Sequence, residues 1–180
     1  MVNLISHSPA QGLLPLTMGQ VQVTEVTGLS LTTLAPYRGK DAVGALKDAH
    51  GLEWPGPNGT SGTVDRAVWF GHSHILLMGP LPDPSLSDSC AIVDQSDAWT
   101  VVDVTGAMAR DVLARLTPMD LRDAAFPVGA AARTELQHMQ GCVIRIGGDQ
   151  YRLMVFRSMA HTLVHDLKTA MESVAALFTK

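Results

Sequence analysis

Apolar residues recur along the chain in short alternating runs broken by two helical stripes. Val21, Val23 and Val26, then Leu29, Leu31 and Leu34, fall at near-alternate positions and predict strands. Tyr37-Arg-Gly-Lys ends that run, and Asp41 suits the N-cap of a helix through His50 whose apolar side is Ala42, Ala45, Leu46 and Ala49. A Gly/Pro loop over 51–62 leads to strands at Val64–Phe70 and His74–Met78, joined by Gly71-His72-Ser73 and followed by the Pro-rich loop 79–84. The later half repeats this order. Ala91–Val93 and Trp99–Val104 predict strands, and a helix near Ala107–Leu116 carries Met108, Val112, Leu113 and Leu116 on one side before Pro118 stops it. Strands follow at Ala131–Leu136, Cys142–Ile146 and Tyr151–Phe156. A last helix from about Ala160 to Leu177 has the stripe Leu163, Val164, Leu167, Ala170, Met171, Val174 and Leu177. This order predicts an α+β fold in one domain, 21–180, of two related antiparallel halves with packed helices, divided at about 90/91. No Rossmann pattern is present.

Residues 1–20 predict an arm, because Pro9, Gly12, Pro15 and Gly19 interrupt any helix or central strand. The first charged residue is Glu25, so the arm lacks the charge that keeps tails solvated. Leu4, Ile5, Leu13, Leu14 and Leu16 must pack somewhere, either on the parent domain or on a partner chain.

Composition narrows the function classes. The 180 residues (19.2 kDa) suit one domain or two fused half-domains, long enough to fold without disulfides or metal. Hydrophobic residues make up 46% and charged residues 17%, the latter below the roughly 25% of an average domain. That excludes a disordered chain and hints at surface covered by something other than water. A net charge of −4 with pI near 5.9 leaves no electrostatic footprint for nucleic acid or an anionic membrane. The uncharged stretch Met1–Thr24 is too interrupted by polar residues, Pro and Gly to span a bilayer, and no basic n-region precedes an apolar run. The expected location is the cytoplasm. Cys90 and Cys142 have no metal or redox spacing and predict buried reduced thiols.

The candidate chemistry is sparse. No phosphate-binding glycine motif occurs, and Gly56, Gly59 and Gly62 lie in a loop without the strand and helix such a motif needs. His72 and His74 could share a strand face, and His161 and His165 stand one helical turn apart, but neither pair has a third ligand at a useful spacing. Ser96 and Ser158 have no nucleophile-elbow setting. Asp94, Asp97 and Asp103 bracket Trp99, with Asp94 and Ser96 better suited to capping a turn. Arg145, Arg152 and Arg157 could grip an acidic ligand or simply charge an edge strand. No catalytic, cofactor-binding or metal-ligating residue is predicted in this chain.

A resemblance supplies what the residues alone do not. Asp94-Gln-Ser-Asp-Ala-Trp99, Thr105-Gly106, Leu113-Ala-Arg-Leu116 and Pro118-Met-Asp-Leu121 resemble the gamma subunit of heterotetrameric sarcosine oxidase. So do Phe126-Pro-Val-Gly129, Ala132-Arg-Thr134 and the segment Tyr151–Ala160; Trp69–Leu77 fits more loosely, with His72 and His74 as departures. The likeness runs over 25–178. It implies the fold of the folate-binding domain of the glycine-cleavage aminomethyltransferase. In that enzyme an acidic residue before the strand leading to a Tyr/Arg turn helps hold the folate; aligning through Arg145, Gly147, Asp149 and Tyr151 puts the neutral Met139-Gln140 there. The resemblance therefore implies a kept fold with a lost folate site, in a non-catalytic subunit. The complex implied has alpha, beta and delta partner chains, with FAD, FMN, tetrahydrofolate and zinc belonging to those partners. It oxidises sarcosine to glycine while O₂ becomes hydrogen peroxide. A stand-alone folate-dependent protein and a plain interaction domain of the same fold remain the alternatives. Trp54 and Trp69 are candidate interface anchors or core residues.

Overall fold

The computed structural model describes residues 5–178; Leu4 of the arm lies outside them. Among the described residues, eleven strands build two antiparallel sheets, accompanied by three α-helices. The strands are β1 (Leu16–Met18), β2 (Val21–Glu25), β3 (Ser30–Pro36), β4 (Thr60–Ser61), β5 (Arg66–Gly71), β6 (His74–Gly79), β7 (Cys90–Asp94), β8 (Trp99–Thr105), β9 (Ala131–Leu136), β10 (Met139–Gly147) and β11 (Gln150–Phe156). The helices are α1 (Ala42–His50), α2 (Ala109–Leu113) and α3 (Ala160–Phe178). One sheet has six strands in the order β1-β2-β8-β11-β10-β9 and the other has five, β4-β5-β6-β3-β7.

The two sheets pack face to face, and helices cover their outer faces. Leu31, Val68, Phe70, Leu76 and Met78 from the five-stranded sheet meet Trp99, Val101, Ala131, Cys142, Ile144 and Met154 from the six-stranded sheet. On the far side of the larger sheet, Val102, Val104, Val143, Leu153 and Val155 pack on Val112 and Leu113 of α2 and on Leu163, Leu167 and Met171 of α3. On the far side of the smaller sheet, Leu34, Ala67, Ile75 and Leu77 pack on Ala42 and Leu46 of α1. Neighbouring strand residues thus belong to different layers, as period-two geometry requires. Most antiparallel sheets keep one face for water. Here both faces of both sheets are covered, and that accounts for much of the low charged fraction without invoking a partner.

The halves predicted from sequence order are not the halves in space. β2 pairs with β8 and so joins the later strands, whereas β7 pairs with β3 and joins the earlier ones. The divide near 90/91 falls inside the hydrogen-bonded five-stranded sheet. The arm is also more than an arm. Leu16–Met18 form β1, the edge strand against β2, with Leu14, Leu16 and Met18 packed on the helix-side core. Upstream, Glu25 accepts from Ser8 Oγ at 2.6 Å and from the Ala10 N–H at 2.8 Å.

Local signals account for most boundaries. Asp41 caps α1 by accepting from the Gly44 N–H, and Gly51 closes it in the left-handed conformation (φ 67°). α2 is shorter than the predicted Ala107–Leu116. The β9–β10 turn takes over its final carbonyls: the Gln137 N–H donates to Leu116 O and Gln137 Nε2 donates to Arg115 O. The strand expected from Val64 starts at Arg66, leaving Val64 exposed in the turn. Leu177 is 64% exposed beyond the reach of the core, although the rest of its stripe is buried. Gly106 adopts φ +119°, and a Cβ there would collide with the Gln20 carbonyl oxygen, so only glycine lets the β8–α2 turn lie against the start of β2.

Removing residues 1–20 should lower unfolding stability in urea by about 3 kcal/mol, the apolar burial of Leu14, Leu16 and Met18 together. An unchanged urea midpoint with unchanged m-value would show that β1 contributes nothing to the fold.

Candidate functional site

Polar chemistry is concentrated on the central strands. β10 and β11 are interior strands, so Arg145 and Arg152 are not the edge charges that sequence allowed. Arg145, on the helix side, is 6% exposed. Its Nη1 donates to Phe126 O at 2.8 Å, its Nη2 to Gly148 O at 2.7 Å, and the same Nη2 lies 2.7 Å from Asp123. This guanidinium ties the 122–130 loop to the β10–β11 turn. Arg152 lies between the sheets and grips Asp103 with two bonds of 2.7 and 2.9 Å, while its Nη1 touches Met78 Sδ at 3.5 Å. Asp103 is therefore the ion-pair partner of Arg152. Arg66 completes this end of the layer, donating to Gly62 O at 3.2 Å. Burial, and then repulsion from Arg152, lowers its pKa against the attraction of Asp103.

Aromatic rings gather in the same inter-sheet layer. Trp99 stacks on Phe156 with centroids 4.8 Å apart and meets Phe70 edge-on at 5.4 Å; Phe70 also meets the His74 ring edge-on at 6.1 Å. The Arg133 guanidinium lies over Phe70 at 4.4 Å and over Trp99 at 5.5 Å. Each such cation–ring contact is worth about 0.5–1 kcal/mol at an exposed site. Sequence reading assigned no role to Phe70, Arg133 or Phe156. The signal available was weak: Arg133 alternates with Ala132 and Thr134 on a strand, and no sequence rule says which ring a cation will face. Trp54 and Trp69 are both half-buried, Trp54 against the α1-side core.

The remaining candidates stay apart or serve the backbone. His72 is exposed in the β5–β6 turn while His74 begins β6, so the two do not share a strand face. His161 and His165 are exposed on α3. Among the described residues, no group of three or more His, Cys, Asp or Glu is close enough to hold a metal ion. Asp94 accepts from the Ser96 N–H and Oγ, and Ser96 Oγ in turn accepts from the Leu31 N–H, so this pair caps a turn as its residue types predict. Asp97 faces Arg157 at 3.9 Å, and Arg157 Nη2 donates to His7 O at 2.6 Å. Ser158 is exposed in the turn before α3. Gly59 bridges to Ala130 and Thr60 Oγ1 donates to Gly129 O, so the glycine loop closes the seam between the sheet edges. Met139 is buried against the helix-side core, while Gln140 is exposed and its amide donates to Glu135. Both groups of that exposed Gln140–Glu135 pair lie on the β9–β10 hairpin.

Two open grooves flank this framework. One of about 320 Å³ lies between arm residues Ser6–Pro9 and the Trp99–Arg157 region; another of about 500 Å³ is walled by Met119, Phe126, Pro127 and Val128. The first is lined by Ser96, Asp97 and Arg157 of the sequence candidates, together with His7 and Glu25, whereas the second gathers none of the candidate nucleophiles and bases. Cys142 is fully buried, which pushes its thiol up to about 12; burial also raises Cys90, partly offset by its contact with the Ser89 hydroxyl.

The scaffold is thus an aminomethyltransferase-like α+β domain in which Arg145, Arg152 and Asp103 act as structural ties, while Trp99 Nε1, Thr100 Oγ1 and the Tyr151 hydroxyl are buried without a hydrogen-bond partner among the described residues. The glycine cleavage system aminomethyltransferase T from Bartonella henselae has this fold, with a TM-score of 0.55 at 15% identity over 84% of this chain and 46% of that one. A chain of the heterotetrameric sarcosine oxidase from Corynebacterium sp. U-96, solved in complex with pyrrole 2-carboxylate, is nearer: TM-score 0.80, 25% identity, 94% of this chain and 96% of that one. The sarcosine oxidase subunit gamma of Corynebacterium sp. (strain P-1) is 26% identical over 183 residues, covering 96% of this chain and 89% of that protein. The model of the sarcosine oxidase, gamma subunit family matches residues 86–172. Motifs, whole-length likeness and fold agree in likening this chain to sarcosine oxidase gamma subunits.

The native state favours the protonated Cys142 thiol, whose pKa rises from 9.0 to about 12. Its contribution to stability is complete below pH 9 and is lost as pH climbs from 9 towards 12. Urea unfolding between pH 8 and 11 should show this alkaline decline, and Cys142→Ala should flatten it. In the native chain at pH 8 neither cysteine should react with a thiol reagent such as DTNB, whereas both react after unfolding; a rapidly reacting native Cys142 would contradict the burial.

Proposed function

We propose that this chain is a non-catalytic structural subunit of a heterotetrameric sarcosine oxidase, assembled with alpha, beta and delta chains. The observation that carries this reading is the near-complete two-way coverage of the Corynebacterium sp. U-96 oxidase chain at a TM-score of 0.80. The use of the interior groups supports it. Arg145, Arg152 and Asp103 have their bonding capacity taken up in holding loops and sheets together, and Asp94 and Ser96 are taken up by a turn. In the proposed complex, sarcosine, O₂ and water become glycine, formaldehyde and hydrogen peroxide, or the methyl carbon passes to tetrahydrofolate. The flavins, FAD and FMN, and the zinc belong to the partner chains in this reading, as does folate. Met139 and Gln140 support the last point, since neither supplies a buried carboxylate for a pterin. Two cysteines held as buried thiols suit a reducing, cytoplasmic setting. Among the described residues no helix is long and apolar enough to cross a membrane.

Co-expression with the alpha, beta and delta chains of the same source, followed by native mass spectrometry, tests the subunit role. The expected species holds one copy of each chain, carries flavin and consumes sarcosine. A lone 19.2 kDa species that ignores those partners would overturn the reading. Titration of the isolated chain with tetrahydrofolate should show no binding at micromolar concentrations, and saturable micromolar binding would restore the stand-alone folate-protein alternative.

A further inference from the structure

We infer that the Arg133–Phe156 end of the inter-sheet layer is a docking point for a carboxylate side chain, aspartate or glutamate, of another subunit. This rests on the subunit reading above and adds to it a place and a chemistry. Four observations converge. Arg133 is exposed, yet its guanidinium is held in one place by the Phe70 and Trp99 faces at 4.4 and 5.5 Å. Among the described residues no carboxylate lies within ion-pair distance of it; Glu135, two residues along the same strand face, is engaged by Gln140 at 3.1 Å. Phe156, stacked on Trp99, leaves 47% of its surface to solvent. Three of the nine Phe, Trp and Tyr residues of the chain, Phe70, Trp99 and Phe156, are brought together here.

A cation seated on rings has given up part of its hydration and some of its side-chain freedom before any partner arrives. An acidic side chain then binds a pre-oriented fork instead of a mobile one. Arginine beside half-exposed aromatic surface is also the composition enriched at interface centres. Charge favours the same occupant. The chain as a whole is at −4, but at this end Asp97 faces Arg157 and the exposed Glu135 is engaged by Gln140, which leaves Arg133 without a carboxylate partner among the described residues. Two copies of this chain, each at −4, repel one another, so the occupant that charge favours is an acidic segment of a different subunit.

The test uses the co-expressed complex. Arg133→Met keeps a long apolar stem on the rings and removes the charge, Arg133→Lys keeps the charge without the planar fork, and Lys40→Glu, on an exposed turn remote in sequence, is the control. Retention of this chain in the complex is measured by native mass spectrometry across a dilution series at 50 and 300 mM NaCl. The expected result is at least a tenfold rise in the concentration for half-dissociation with Arg133→Met, with the salt dependence of the wild type largely abolished. Arg133→Lys should fall between, and Lys40→Glu should match the wild type. Melting of the isolated Arg133→Met chain within a few degrees of wild type excludes misfolding as the cause; should it fail to fold, Phe156→Ser, which removes only half-exposed surface, should give the same loss of retention. If the wild type assembles and Arg133→Met assembles equally well with the same salt slope, the inference is overturned while the subunit reading stands. If the wild type does not assemble, both fall. If the substitution instead dissolves a homodimer of the free chain, the occupant is a second copy and the inference is wrong.

Discussion

The structure depends on burial between two sheets that cannot be completed separately. Leu31, Val68, Leu76 and Met78 on one side and Val101, Cys142, Ile144 and Met154 on the other have only each other to exclude water. The chain enforces this by crossing between sheets twice. It leaves β2 in the larger sheet to start β3 in the smaller, and leaves β7 in the smaller to start β8 in the larger. Neither sequence half therefore owns a complete sheet. Such long-range pairings are costly in loop-closure entropy and are stable only once the shared layer is filled.

The ends of that layer are closed by different chemistry. At one end Asp103 and Arg152 form a two-bond ion pair with Arg66 beside them. At the other, Phe70, Trp99 and Phe156 form a ring cluster capped by Arg133. A partly buried ion pair contributes little net stability over an apolar replacement, but it penalises wrong registers severely. Since a one-residue slip would turn Arg152 into the helix-side core, the pair helps fix β11 against β8. The seam at Gly59–Ala130 and the Arg145 strut then hold the outer loops to this frame.

These constraints bear on function by what they use up. In an enzyme of this size, buried charged groups usually mark the site of chemistry. Here they bond backbone carbonyls, each other and turns, and so tie loops and sheets together. What the protein can offer a larger assembly is surface: the arm beside Arg157, the grooves beside Phe126 and Trp99, and the cation–aromatic end of the layer. The subunit role proposed above, with the reactive groups on other chains, calls for such a scaffold.

Much of the fold was legible in residue order. Alternation placed β3, β5, β6, β8, β9, β10 and β11, and the caps and stripes of α1 and α3 were read within a few residues, because side-chain periodicity and capping are local properties. The likeness to sarcosine oxidase gamma subunits was legible too, since it rests on the order of short motifs. The absence of a carboxylate at Met139-Gln140 was likewise visible in the sequence itself. Tertiary structure alone decided which strands share a sheet, that the arm ends in an edge strand, and that α2 stops early because Gln137 takes its last carbonyls. It also decided that Arg145 and Arg152 are interior ties and that Arg133 sits on rings from β5 and β8, 63 and 34 residues away in the numbering. Alternation tells a residue only that it faces one side or the other. What waits on that side is set by which distant strand the sheet order brings across, and that is a property of the whole layer.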